Sequence, residues 1–138
     1  MKKIVVDTDI FLEHLLHNDP GEGSSQLRRL MREFFCYTTV FNAIELFSLC
    51  KSEAESRSME ESLYAVKILG LNAKSARRIG ALFSPGRAKR TRDMDILIAG
   101  LCRESRLPLV TNSVERYGGI RPLQVFTARQ LLRQKTNG

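Results

Sequence analysis

Short apolar strands that alternate with helical segments constrain the fold of this chain more than any other feature of its sequence. The first strand is predicted at Lys3–Val6, where a continuous β-branched run follows a charged residue. Further strands are predicted at 34–39, 66–71, 108–111 and 123–126, and helices at 40–50, 56–66, 73–83 and 93–106. Parallel strands need a crossover, usually a helix, between them. The alternation therefore predicts an α/β/α sandwich with a central, mainly parallel sheet.

The length and composition of the chain indicate one globular domain over residues 1–138. A chain of 138 residues buries a core without staples, and 43% hydrophobic with 27% charged residues is ordinary for globular proteins. No apolar run approaches the roughly 20 residues that span a bilayer, so we expect a cytoplasmic protein without a membrane partner. Cys36, Cys50 and Cys102 lie far apart among apolar neighbours, which favours buried free thiols over disulfides or a thiolate zinc site.

Positive charge is concentrated in the second half of the chain. Residues 70–138 hold 14 of the 22 basic residues but 4 of the 15 acidic ones. A basic surface suits a polyanion, because each neutralised phosphate releases counterions. The same charge is also compatible with a solvated surface that has no ligand. The candidate nucleic-acid contacts, in or next to a predicted loop at 84–92, are Arg87, Lys89, Arg90 and Arg92.

Acidic residues stand where a parallel sheet binds its ligands. Asp7 directly follows the first predicted strand, and open parallel sheets bind ligands beyond the carboxyl ends of their strands. Asp9 lies nearby, at the start of a helix that Thr8 or Asp9 is predicted to cap. Asp7 is therefore the first candidate site residue.

Glu45 and Asp95 are isolated charges in otherwise uncharged stretches. Glu45 is the only charged residue between Phe34 and Cys50. A buried charge is normally paired or metal-bound, so Glu45 faces a site, pairs with an arginine or turns to water. Asp95 opens a helix, where it could also serve the helix dipole. Asp93 is better placed as the N-cap, which leaves Asp95 free to point elsewhere.

These acids come from three elements whose starts can converge on one edge of the sheet. Two carboxylates about 4 Å apart repel by roughly 4 kcal/mol at a surface-like dielectric, so a cluster needs protons or a cation. Hard oxygen ligands with few histidines favour Mg²⁺ or Mn²⁺. Such an ion can polarise a phosphoryl oxygen and activate water. Hydrolysis of a phosphodiester is the chemistry that this combination indicates.

The motifs resemble those of the PIN-domain nucleases, especially the VapC-type toxins of toxin–antitoxin pairs. That family opens with a strand, D-T-N/D and an apolar run, which stand here as Val6 to Phe11. Its second acid lies in a pattern like T-x-x-E-L, and here Glu45 precedes Leu46. Its third opens D-x-L-I-A-A, matched here at 95–100, and L-P-L-V-T-N follows at 107–112. The similarity extends over nearly the whole chain in the same order.

The resemblance implies a metal-dependent endoribonuclease that cleaves RNA, with an antitoxin partner and a homodimeric assembly. It assigns the metal-site and catalytic acids as Asp7, Glu45 and Asp95, with Mg²⁺ or Mn²⁺ as the cofactor. Thr8 is expected to support Asp7, and Asn112 to orient the site. Asp9 stands where relatives often have Asn, so hydrogen bonding or capping is its expected role.

The chain departs from the family at one position. Many members have a fourth acid in T-x-D, where this chain has Ser113. Serine can bond a metal-bound water but adds no charge, so one metal ion is expected. Asp9, Asp93 or Glu115 could compensate for the missing acid. If they do not, a non-catalytic RNA-binding or scaffold domain is the alternative.

Two other interpretations are weaker. Asp7-Thr8-Asp9 is similar to the D-x-D opening of haloacid-dehalogenase phosphatases, but Phe11 stands where that pattern needs Thr or Val. His14 and His17 are spaced for a zinc pair, but no third ligand lies nearby, and a helix surface explains them as well. No glycine-rich phosphate loop occurs in the sequence.

Overall fold

The computed structural model describes residues 2–17, 23–83 and 91–137, with side chains as far as residue 133. Five strands form a fully parallel sheet in the order β3-β2-β1-β4-β5. The strands are β1 (Lys2–Val6), β2 (Phe34–Thr39), β3 (Lys67–Leu69), β4 (Leu109–Val110) and β5 (Val125–Phe126). The predicted α/β/α sandwich with a parallel sheet is confirmed.

Helices connect the strands, and three of them start one or two residues after a strand ends. The helices are α1 (Thr8–Leu16), α2 (Gln26–Glu33), α3 (Val40–Ser48), α4 (Glu53–Leu63), α5 (Ala73–Gly80), α6 (Asp93–Ser105) and α7 (Ala128–Asn137). Short 3₁₀ turns lie at Ala81–Phe83 and Val114–Tyr117. The helix predicted at 56–66 begins three residues earlier, because Ser52 caps it.

Side chains of β1 alternate between two cores. Ile4 and Val6 join one cluster with Phe11 and Leu30, whereas Val5 joins another with Ile98. Successive strand residues point to opposite faces of a sheet, so β1 is covered on both faces. This central position, between β2 and β4, brings the end of β1 next to the ends of both neighbours. The carboxyl edge of the sheet therefore collects residues from three segments.

Helix capping differs from two of the predictions. Asp7 is the N-cap of α1 and its side chain accepts from Thr8 N, so neither Thr8 nor Asp9 caps this helix. Asp7 is the single residue between β1 and α1, and this places its carboxylate beside the first amide of the helix. The N-cap of α6 is Arg92, so Asp93 is not the cap; it lies exposed in the first turn. Thr39 caps α3.

Two further expectations concern the burial of the cysteine thiols and the absence of a membrane-spanning segment. Cys102 is buried, whereas Cys36 and Cys50 are partly exposed, and all three are free thiols. Burial of the thiol was therefore predicted correctly for Cys102 alone. In the part of the chain that the structure describes, every helix is too short or too polar to cross a membrane.

Candidate functional site

Asp7 lies at the centre of the carboxyl edge and is held by neutral donors. Its side chain is fully buried, with 0% exposed. Oδ1 accepts from Thr8 N and from Asn42 Nδ2, both at 2.9 Å, and Oδ2 accepts from the Tyr117 hydroxyl at 2.9 Å. These donors fix the carboxylate in one orientation but carry no positive charge. The negative charge of Asp7 thus stays available to a cation.

Glu45 is joined to this network through Thr8. The Thr8 hydroxyl donates to Glu45 Oε1 at 2.6 Å and accepts from Asn42 Nδ2 at 3.0 Å. Glu45 Oε2 lies 3.8 Å from Nη2 of Arg92, and 19% of the Glu45 side chain is exposed. Glu45 therefore both faces the acidic cluster and pairs with an arginine. Thr8 contacts Asp7 through its backbone amide, while its hydroxyl orients Glu45.

Asp95 is held by two arginines. Arg92 donates from Nε to Oδ2 at 3.1 Å and from Nη2 to Oδ1 at 2.9 Å. Arg116 approaches the same two oxygens, at 3.4 Å from Nε and 2.5 Å from Nη2. The Asp95 side chain is 2% exposed. Burial raises the pKa of Asp95 above its ordinary value, the guanidinium of Arg92 opposes that rise, and the charges of Asp7 and Glu45 add to it.

Asp9 binds the segment that follows β4. Its Oδ2 accepts from Asn112 N at 2.9 Å, from the Thr111 hydroxyl at 3.2 Å and from the Ser113 hydroxyl at 3.2 Å. Burial and the nearby charge of Asp7 raise the pKa of Asp9, and these three hydrogen bonds oppose the rise. Asn112 thus contacts the site through its backbone, because its side chain donates to Gln26 Oε1 at 2.7 Å.

Sequence reasoning missed Arg116 and Tyr117, which lie in the 3₁₀ turn after β4. Tyr117 is buried, and burial with the negative charges of Asp7 and Asp95 raises its pKa, so its hydroxyl stays a donor. The Arg116 guanidinium carbon lies 5.7 Å from the centre of the Tyr117 ring. The one sequence signal was an Arg-Tyr pair shortly after a strand that ends at this edge.

Several other predicted positions lie elsewhere. Asp93 and Glu115 are exposed, and Arg87, Lys89 and Arg90 lie outside the described residues. Among the described residues, no group of three or more acids, histidines or cysteines lies in a ready-made metal-binding arrangement, and this applies to the two histidines as well as to the acids around Asp7. His14 Nδ1 pairs instead with the Ser25 hydroxyl at 2.7 Å, and His17 Nε2 with the Gly23 carbonyl at 2.7 Å.

The sequence of the chain matches a known family model. The model of the PIN domain matches residues 4–113, which include Asp7, Glu45 and Asp95. The chain belongs to the PIN-domain family. The match ends at Ser113, so the segment that supplies Arg116 and Tyr117 to the site lies just beyond it. No curated protein matches the chain.

Solved structures share the fold of this PIN domain at low sequence identity. The DNA-bound VapBC complex from Salmonella typhimurium contains a chain that is 19% identical, with a TM-score of 0.73 and coverage of 93% of this chain and 99% of that one. VapBC-1 from nontypeable Haemophilus influenzae gives 19% identity, a TM-score of 0.70 and coverage of 92% and 98%. VapBC2 from Rickettsia felis, bound to promoter DNA, gives 21% identity, a TM-score of 0.68, and coverage of 89% of this chain and 96% of that one. These similarities support the PIN fold.

The acids of this PIN domain fit a divalent ion in chemistry and in charge. Carboxylate oxygens are the ligands that Mg²⁺ and Mn²⁺ prefer. Asp7, Asp9, Glu45 and Asp95 with the two arginines leave a formal charge of −2, which one divalent ion neutralises. Because both oxygens of Asp95 accept from guanidiniums, an ion at Asp95 has to displace an arginine contact. Asp7 and Glu45 are the acids most available to a cation.

Proposed function

We propose that this PIN domain is a Mg²⁺- or Mn²⁺-dependent endoribonuclease of the VapC toxin type. The observation that carries the proposal is the convergence of Asp7, Glu45 and Asp95, from three separate elements, on one edge of the sheet with an excess of negative charge. A bound divalent ion supplies electrophilic stabilisation of a phosphoryl oxygen and lowers the pKa of a water. The three acids are the proposed metal ligands and catalytic residues.

The residues around the acids have separate tasks in this proposal. Tyr117 and Asn42 hold Asp7 in one orientation, so no rotamer has to be ordered when a cation binds. Thr8 orients Glu45, which is the more exposed of the proposed ligands and the first that an incoming phosphate meets.

Arg92 is the proposed contact to the RNA backbone. Its side chain is 55% exposed although it pairs with Asp95, so part of the guanidinium can meet a phosphate. It follows directly on the basic segment that holds Arg87, Lys89 and Arg90. The basic second half of the chain provides a long-range attraction for RNA that weakens with salt.

The proposal is tested by cleavage of structured RNA with the full chain and Mn²⁺. Wild type is expected to cleave with Mn²⁺ and to stop with a chelator, and Asp7→Asn is expected to lower the rate by at least about 100-fold. Glu53→Gln makes the same charge change on the exposed surface of α4 and serves as the control. RNA that is bound but left intact by all three proteins indicates a binding module instead. Equal cleavage by wild type and Asp7→Asn excludes the proposed site.

An antitoxin and a second copy of the chain are the proposed partners. Toxin–antitoxin complexes are among the proteins with this fold. Large apolar side chains are exposed on and after α3, and contiguous exposed apolar surface is typical of interfaces. They are Ile44, Phe47 and Leu49. Phe47→Glu is expected to convert a dimer to a monomer in light-scattering measurements, and an unchanged mass excludes this surface as the dimer interface.

A further inference from the structure

We propose that Arg116 acts as a built-in cation at Asp95, so that this site takes one divalent ion rather than two. The proposal rests on the metal-dependent function proposed above and concerns how many ions the site holds. The observation behind it is that the guanidiniums of Arg92 and Arg116 both bind Asp95.

Arg116 is placed as a fixed ligand of Asp95. Both oxygens of this buried carboxylate accept from it, which is the fork geometry that only arginine provides. The Arg116 side chain is 27% exposed, half the value of Arg92. Its guanidinium also lies over the ring of Tyr117, whose hydroxyl bonds to Asp7. The turn at Val114–Tyr117 therefore binds one acid with a cation and another with a neutral donor.

The charge of the cluster is balanced by a single divalent ion. Arg92 and Arg116 neutralise half of the four carboxylates and leave a formal charge of −2. A second divalent ion would make the cluster positive and would lie close to guanidiniums that repel it. Both oxygens of Asp95 already accept from guanidiniums, so Asp95 can turn to an ion only by giving up an arginine contact.

The segment after β4 supplies no acid that could replace Asp95. Ser113 is neutral, and its hydroxyl donates to Asp9. Glu115 is exposed. Asp9 is turned to Thr111, Asn112 and Ser113, and the charge that acts on it is that of Asp7. A second ion would need a further carboxylate beside Asp95. Arg116 instead places a positive charge there. A guanidinium can also neutralise charge on a phosphoryl oxygen, which is one task of a second ion.

The number of ions is measured by Mn²⁺ titration, with the free ion followed by electron paramagnetic resonance in the absence of RNA. We expect one Mn²⁺ per wild-type chain and a second one in Arg116→Gln, because the competing charge is removed. Arg116→Lys keeps the charge and is expected to stay at one ion. The matched control is Arg78→Gln, which removes an arginine paired with Glu104 on the surface, and it is expected to behave as wild type.

Three results overturn the proposal. Two ions in the wild-type chain overturn it without any variant, which keeps it testable if Arg116→Gln fails to fold. The same single ion in wild type and in folded Arg116→Gln overturns it as well, and so does the absence of bound Mn²⁺ in both. One ion in wild type and two in the variant without cleavage of RNA would support this inference and refute the proposed function.

Discussion

Asp7 and Asp95 are both almost completely buried at the carboxyl edge of the sheet, yet the protein satisfies them by different chemistry. Asp7 accepts hydrogen bonds from an amide nitrogen, an asparagine and a tyrosine, all of which are neutral. Asp95 accepts from two guanidiniums. Neutral donors hold a carboxylate in place and leave its charge uncompensated, whereas arginines compensate it. The charge of Asp95 is therefore compensated by arginines within the protein, whereas the hydrogen-bond donors of Asp7 are neutral.

The two acids are nevertheless coupled through one short segment. Arg116 and Tyr117 are adjacent in the chain, and each contacts one of the acids. A movement of the turn at Val114–Tyr117 would disturb both contacts together. Three substitutions test the difference between the two acids. They change Asn42 beside Asp7, Tyr117, and Asp9, which is more exposed than Asp7 and Asp95.

The largest effect is expected from Asn42→Ala, which removes the neutral network at Asp7. Asn42 is fully buried, donates to Asp7 and Thr8, and forms a capping box with Thr39. Loss of the cap and of buried hydrogen bonds is expected to lower the free energy of unfolding by roughly 2–4 kcal/mol. Urea denaturation measures this change.

The control for Asn42→Ala is Asn112→Ala. The Asn112 side chain is exposed and makes one hydrogen bond, to Gln26. Its removal is expected to change stability by less than about 0.5 kcal/mol. Equal effects of the two alanine variants would show that the neutral donors do not stabilise Asp7.

An intermediate effect is expected from Tyr117→Phe, which removes a single hydroxyl and leaves Oδ2 of Asp7 without its donor. An unsatisfied buried acceptor costs about 1–3 kcal/mol. Tyr64→Phe removes an exposed hydroxyl that donates to Glu60 and is the matched control, with no measurable loss of stability expected. If thermal unfolding finds both phenylalanine variants as stable as wild type, the donor role of Tyr117 is refuted.

The smallest effect is expected from Asp9→Asn, and it depends on pH. The pKa of Asp9 in the folded protein lies above its ordinary value of 3.8, so the folded state binds a proton more readily than the unfolded state. The contribution of Asp9 to stability is therefore largest below pH 3.8 and is lost as pH rises through the raised pKa.

Asp9→Asn is expected to be more stable than wild type at pH 7, by an amount on the order of 0.5 kcal/mol. Its stability should also fall less steeply with rising pH above 3.8. Asp95 has the same sign, so part of the slope remains. Denaturation at a series of pH values measures both quantities. A steeper fall in the variant than in wild type would contradict the raised pKa.

The sequence by itself determined the architecture and the positions of the acids. Strand and helix patterns are local, since they depend on residues a few positions apart, and a parallel sheet follows from their alternation. An acid just after a strand lies at the carboxyl edge wherever that strand packs. This argument holds for Asp7, whereas Glu45 and Asp95 lie on α3 and α6 and are linked to the surroundings of Asp7 through Thr8 and Arg92.

Only the tertiary structure decided which partner each acid has. Tyr117 lies 110 residues from Asp7 in the chain, and Arg116 lies 21 residues from Asp95. Their contacts depend on how the 3₁₀ turn after β4 packs against α6, which no local pattern encodes. Two helix caps, those of α1 and α6, were mispredicted for a related reason, because the cap depends on where the backbone turns. Whether a buried carboxylate is neutralised or left charged is set by packing, since hydrogen bonds act over about 3 Å regardless of separation in sequence.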